Sequence, residues 1–132
     1  MLTDIVRTDI LTAAPDTTVD EIVAAMRTRG RSVVVVLDEQ RPIGLVSAAD
    51  VGLAVGTDDL ADRPVSTLVD DPVTIRERAS RAGLLSRFRE TGTERLVVVD
   101  DGDEFVGCVS RRDLLATYAD EFDALFALFS TP

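Results

Sequence analysis

A heptapeptide occurs twice in this chain. Gly44-Leu45-Val46-Ser47-Ala48-Ala49-Asp50 returns as Gly107-Cys108-Val109-Ser110-Arg111-Arg112-Asp113, an offset of 63 residues. Upstream the offset is 62, pairing Thr12 with Thr74, Met26 with Phe88, Gly30 with Gly92 and Val35-Val36 with Val97-Val98. Ahead of Thr12 it returns to 63, setting Ile5-Val6 against Leu68-Val69. The drifts of one residue fall where loops can absorb them, so the chain is one unit written twice. That duplication constrains the fold more than any other feature. One copy of roughly sixty residues buries too little surface to be comfortable alone, whereas two copies can cover each other's apolar faces.

Both copies predict the same elements. Thr17-Thr18 precedes Val19, and Glu21 follows Thr18 by three, a capping-box signature. Ile22, Val23 and Met26 then keep helical spacing until Gly30 stops the helix. Val33 to Leu37 is a β-branched run, followed by a polar turn from Asp38 to Pro42 and a second strand from Ile43 to Val46. A second helix opens at Ser47 and carries Val51, Leu53 and Ala54. The second copy gives a helix from Arg78 to Glu90, strands Leu96–Val99 and Phe105–Val109, and a helix from Ser110. Short leading strands, Ile10–Ala13 and Val73–Ile75, precede the first helix of each copy.

The expected fold is therefore α/β (α+β), each copy reading strand-helix-strand-strand-helix. Residues 1–60 and 64–120 form the two domains, packed sheet to sheet with a central cleft. The short acidic connector from Gly56 to Pro64 keeps them in one globule. Residues 114–130 predict a C-terminal amphipathic helix, with Leu115, Tyr118, Phe122, Leu125 or Phe126, and Phe129 at helical spacing. Such a stripe either covers the module's own sheet or makes a dimer contact.

Charge and composition exclude much chemistry. The net charge is −10, all 14 basic residues are Arg, and Lys, His and Asn are absent. Excess carboxylates disfavour nucleic acid and anionic membrane surfaces as partners. Without His the usual general base and the commonest metal ligand are missing, and one Cys supplies neither a disulfide nor a thiolate zinc site. No catalytic residues and no metal site are expected, so the chain reads as a non-enzyme. The acidic start and the lack of a long apolar run give no sign of a secretory leader or a membrane span, and point to the cytoplasm. Arg76, Arg78, Arg81, Arg87 and Arg89 read as a helix face that is solvated or paired with Glu77 and Glu90, and less readily as a docking face for an acidic partner. Cys108 reads as a small buried apolar residue.

The duplicated Gly-h-h-Ser-x-x-Asp segment, where h is aliphatic or Cys, resembles the closing motif of the CBS domain. Two copies in register, from Thr3 to Ala116, resemble a CBS domain pair, or Bateman module. That resemblance implies a regulatory module whose cleft binds an adenosine-containing ligand: AMP, ADP, ATP or S-adenosylmethionine. It implies ribose on Asp50 and Asp113, and phosphate near Ser47 and Ser110. Thr12, Thr74 and the strand starts Ser32–Val34 and Arg95–Leu96 would line the base pocket, with Arg31 nearby. It further implies a homodimer that signals to a protein partner in trans, or, alternatively, a ligand-free dimerisation or interaction module. The residues themselves leave another use open, because Ser-x-x-Asp ahead of an apolar helix is also an ordinary cap.

The two motif copies differ in charge. The second holds Arg111 and Arg112 where the first has Ala48 and Ala49, and Arg95 where the first has Val33. Phosphorylated adenosine is therefore expected at Asp113, and a less charged ligand or none at Asp50. Residues 1–66 and 67–132 each carry five more carboxylates than arginines. Even acidity without Lys matches a protein adapted to high intracellular salt, as in a halophilic archaeon; a GC-rich genome produces the same depletion of Lys and Asn.

Overall fold

The structure is a computed structural model describing residue 2 and residues 4–130, the side chains of residues 124–126 and 128–130 excepted. Six strands form two three-stranded sheets of identical topology. In the first, β1 (Leu11–Ala13) runs parallel to β2 (Val33–Asp38), which pairs antiparallel with β3 (Arg41–Ser47). In the second, β4 (Thr74–Arg76), β5 (Arg95–Val99) and β6 (Phe105–Ser110) repeat the pattern. Helices α1 (Val19–Arg29) and α3 (Arg81–Thr91) provide the parallel crossovers, and α2 (Ala48–Leu53) and α4 (Arg111–Ser130) follow the hairpins.

Local chemistry sets the element ends. Thr18 Oγ1 accepts from the Glu21 amide at 3.3 Å, and Gly30 closes α1 in the left-handed region. The β2–β3 hairpin turns on Glu39 and Gln40, both at positive φ, the twist that a two-residue turn between right-twisted strands requires. Ser80 caps α3, so that helix begins at Arg81, three residues later than its composition predicted. Arg76 and Arg78 therefore lie outside the helix. They bind the β5–β6 turn instead: Arg76 to Asp103 and the carbonyls of Asp100 and Asp101, Arg78 bidentately to Asp101. Arg81 pairs with Asp4 and Glu121, and Arg87 donates to the Thr74 carbonyl. Arg76, Arg78, Arg81 and Arg87 thus bind turns and neighbouring elements while Arg76 and Arg78 stay largely exposed to solvent.

Period-two alternation along β2 and β5 divides the core into three layers. Val34 and Val36 face Ile22 and Met26 of α1. Leu96 and Val98 face Leu84 and Phe88 of α3. Val35, Val97, Val99 and Cys108 meet between the sheets, with Leu37, Leu45 and Phe105 alongside. The sheets pack face to face through this middle layer.

The leading segments cross over. Leu2, Ile5 and Val6 belong to the core of the second unit, whereas Val65, Leu68 and Val69 belong to that of the first. Arg7 exchanges two backbone hydrogen bonds with Cys108 on β6, at 2.9 and 3.0 Å, and Asp70 bridges Leu45 on β3. The motif glycines permit this contact. A Cβ at Gly107 would lie 2.3 Å from the Arg7 carbonyl oxygen, and one at Gly44 would lie 2.4 Å from Val69 Cβ. Each unit thus carries its neighbour's leading segment across its own motif strand.

In α4, Leu114 is buried while Leu115 and Phe122 are 62% and 59% exposed and Tyr118 is partly so. The described part of the stripe is therefore largely exposed, with Leu115 and Tyr118 lining a groove beside Leu85 and Phe88 of α3. Leu125, Phe126 and Phe129 lie outside the described side chains. No helix among the described residues is long and apolar enough to cross a membrane.

Gly107→Ala is expected to destabilise the fold by about 1–3 kcal/mol, because its methyl overpacks fixed backbone, and to expose the bond after Arg7 to trypsin. Gly52→Ala, in the open middle of α2, is expected to be neutral or stabilising by up to about 1 kcal/mol. Thermal melts and limited proteolysis of the two variants check both outcomes.

Candidate functional site

Two cavities open along the junction of the sheets, each lined from both units. The larger, about 450 Å³, takes Arg7, Asp9, Ile10 and Leu11 from the leading segment and Arg31, Ser32 and Val33 from the start of β2. From the other side come Glu94, Arg95, Cys108, Ser110, Arg112 and Asp113. The smaller, about 210 Å³, is its counterpart by repeat position, with Val33, Leu45, Ser47, Asp50, Asp70, Asp71, Val73, Thr93, Glu94 and Arg95. Only the larger falls within the roughly 300–1,000 Å³ usual for small-molecule sites.

Asp113 anchors the larger cavity. It sits on the first turn of α4, where its amide donates to Ser110 Oγ at 3.0 Å. Arg7 Nε and Nη2 donate to its two carboxylate oxygens, both at 3.0 Å, in a bidentate fork. Burial pushes the Asp113 carboxyl up, but hydrogen bonds with Arg7 and Ser110 and the Arg7 charge outweigh burial and hold it below its ordinary value. The Arg7 guanidinium is raised, chiefly by its bonds to Asp113. Two residues on, Asp9 accepts from Arg31 Nη2 at 2.7 Å, a bond that lowers its carboxyl as well. Cys108, on the cavity floor, has its thiol pushed up to about 12 by burial. It is uncharged and unreactive at neutral pH.

The smaller cavity uses the same positions differently. Ser47 and Asp50 form a complete capping box: the Ser47 amide donates to Asp50 Oδ2 at 2.8 Å, and the Asp50 amide donates to Ser47 Oγ at 3.1 Å. By repeat position Arg7 becomes Asp70, Arg31 becomes Thr93 and Arg112 becomes Ala49. Four arginines meet three carboxylates in the large cavity; one arginine meets four carboxylates in the small one.

Among the expected ligand residues, the structure gathers Ser110, Asp113, Arg112, Arg95, Arg31 and Val33 around the large cavity, and Ser47 and Asp50 around the small one. It does not bring the others there. Leu96 is fully buried against α3, because alternation along β5 turns it to the helix face while Arg95 takes the cleft. Thr12 and Thr74 lie one residue past the lining positions Leu11 and Val73. Arg111 turns outward beside Glu94, at 3.7 Å. Its amide donates to the Glu94 carbonyl, so with Ser110 binding the Asp113 amide, two of the first three α4 amides are engaged.

Arg7, Asp9, Ile10 and Leu11 were missed by sequence reasoning. The repeat offset that aligns Ile5-Val6 with Leu68-Val69 also sets Arg7 against Asp70, and was the available signal. Among the described residues no group of three His, Cys, Asp or Glu side chains could hold a metal ion.

Two βαββα units with sheets face to face and two related clefts define a tandem-repeat α+β architecture. The CBS domain profile matches residues 2–55 and 65–120, and the chain belongs to the CBS domain family. An uncharacterized protein of Methanopyrus kandleri is 28% identical over 118 residues, 85% of this chain and 59% of that one. Inosine-5′-monophosphate dehydrogenase of Methanocaldococcus jannaschii is 28% identical over 113 residues, 85% of this chain but only 22% of that enzyme. The chain thus spans only part of these relatives. Among solved structures, the CBS domain of a bacterial CNNM/CorC family Mg2+ transporter in complex with ATP superposes with a TM-score of 0.77. It is 22% identical, and the match covers 86% of this chain and 83% of that one. A CBS domain protein of Pyrobaculum aerophilum complexed with AMP gives a TM-score of 0.75 at 20% identity, covering 89% and 97%. At these identities the two structures establish the shared fold.

The lowered Asp113 carboxyl fixes a pH response. Its ion pair with Arg7 contributes stability above the unfolded carboxyl value of 3.8, and that contribution is lost as pH falls through the lower folded value. Asp113→Asn is expected to remove that part of the acid sensitivity, so that stability falls less steeply than in the wild type as pH drops from about 4 downward, by on the order of 1 kcal/mol or less, since Arg7 is largely exposed. Melts of wild type and variant across that range check it.

Proposed function

We propose that this CBS pair is a sensor that binds one adenine nucleotide in the Asp113 cavity and signals its presence to a protein partner. The observation that carries this reading is the concentration of arginines around one of two cavities related by the repeat. A carboxylate on the first turn of α4 suits the two hydroxyls of a ribose, which donate to its two oxygens. Arg31, Arg95 and Arg112 supply cationic forks for phosphate. Ile10, Leu11, Val33 and Cys108 offer the apolar surface that an adenine ring requires. The ligands of the CorC and Pyrobaculum structures, ATP and AMP, are of this class.

The same arginines disfavour S-adenosylmethionine, whose sulfonium is cationic. The small cavity, with its carboxylate excess and half the volume, stays empty of nucleotide in this reading. The exposed apolar face of α4 supports association with a second copy, as the family resemblance implied.

Calorimetric titration with AMP and ATP tests the reading. One nucleotide per chain is expected. Asp113→Ala is expected to weaken it by roughly ten- to a hundredfold, the worth of losing charged hydrogen bonds, and Asp50→Ala by less than about threefold. Equal losses in the two variants, or no heat with the wild type, would overturn it.

A further inference from the structure

The carboxylate assigned to the ribose is already bound. Arg7 closes a two-bond fork on Asp113 inside the cavity, so a ligand that needs both Asp113 oxygens has to displace it. The Arg7 backbone is not free to leave. Its amide and carbonyl are both bonded to Cys108, and the absence of a side chain at Gly107 seats it flat on β6. The side chain, by contrast, is 61% exposed, while that of Asp113 is 19% exposed. A fixed Cα carrying a long, largely solvated side chain can swing the guanidinium without moving the fold.

Displacement costs different ligands differently. A nucleoside without phosphate breaks the fork, takes Asp113 and leaves Arg7 with water only. A nucleotide breaks the same fork and then gives the released guanidinium a new anion, beside Arg31, Arg95 and Arg112 of the same cavity wall. The exchange of one carboxylate for one phosphate on the same arginine returns most of what the broken pair cost. We propose that Arg7 is a specificity latch: it holds Asp113 closed against unphosphorylated nucleosides and yields it to phosphorylated ones. The inference rests on the nucleotide reading of the cavity and adds to it the residue that discriminates. The small cavity has no such device, because Asp70 occupies the matching position and leaves Asp50 to its capping box.

Titration of wild type and Arg7→Gln with AMP and with adenosine tests the latch. The wild type is expected to prefer AMP strongly. In the variant adenosine is expected to bind several-fold tighter and AMP several-fold weaker, so that the preference falls by about tenfold or more. Arg7→Lys keeps the charge and loses the fork, so adenosine is expected to tighten while AMP is largely retained. It also keeps the test decisive if the Gln variant folds poorly. Affinities for AMP and adenosine that shift by one common factor, or stay unchanged, would overturn the latch and leave the nucleotide reading intact. A wild type that binds neither ligand overturns that reading, and the latch falls with it.

Discussion

The crossing of the leading segments holds this molecule together. Each three-stranded sheet has one face on its own helix and one on the other sheet, and neither core is complete without residues from the opposite end of the repeat. Leu2, Ile5 and Val6 fill the second core, and Val65, Leu68 and Val69 the first. The contact is possible only because the motif strands carry glycine where the crossing backbone passes. The Gly of the repeated motif is therefore a packing requirement before it is anything else. Its effect on function follows, since the same contact delivers Arg7 to Asp113 and Asp70 to the neighbourhood of Asp50.

Duplication followed by charge divergence explains why two geometrically related cavities differ chemically. The backbone framework repeats strand for strand, including the parallel pairing of Thr12 with Val35 and of Thr74 with Val97. The side chains at the cleft do not repeat. Arginine gives way to aspartate, threonine or alanine at three corresponding positions. The Ser-x-x-Asp motif consequently does two jobs in one chain. At Ser47 it is a closed capping box, and at Ser110 the serine still caps while the aspartate binds across the cleft. The capping reading of the motif is realised at both serines, and the ligand reading of Asp113 is the one proposed above.

Much of this was legible in the sequence because the signals were local or repeated. Helix caps at Thr18 and Ser47, the β-branched runs and the duplicated heptapeptide each depend on residues close together in the chain. The misplacements have physical causes. Leu96 was set in the pocket although strand alternation from Arg95 already turns it to the opposite face. Arg76 and Arg78 were set on a helix because the run of arginines masks Ser80 as the cap. Arg7 was not legible from its surroundings at all. Its partner lies 106 residues away, and only a segment crossing between units brings the two together.

Charge, read at the right distance, reconciles the chain's acidity with an anionic ligand. A net charge of −10 repels nucleotides at long range, but that field is screened within about 10 Å at 0.1 M salt. Contact interactions in a partly enclosed cleft are screened far less. On the proposed reading a nucleotide would meet the arginines that line one cavity, whereas most carboxylates lie outside both cavities. Two of the cavity's own carboxylates, Asp9 and Asp113, are neutralised by Arg31 and Arg7. The ion pairs that balance the cleft thus use the same arginines that an anion would recruit. Overall acidity sets how often an anion arrives, and local pairing sets whether it stays.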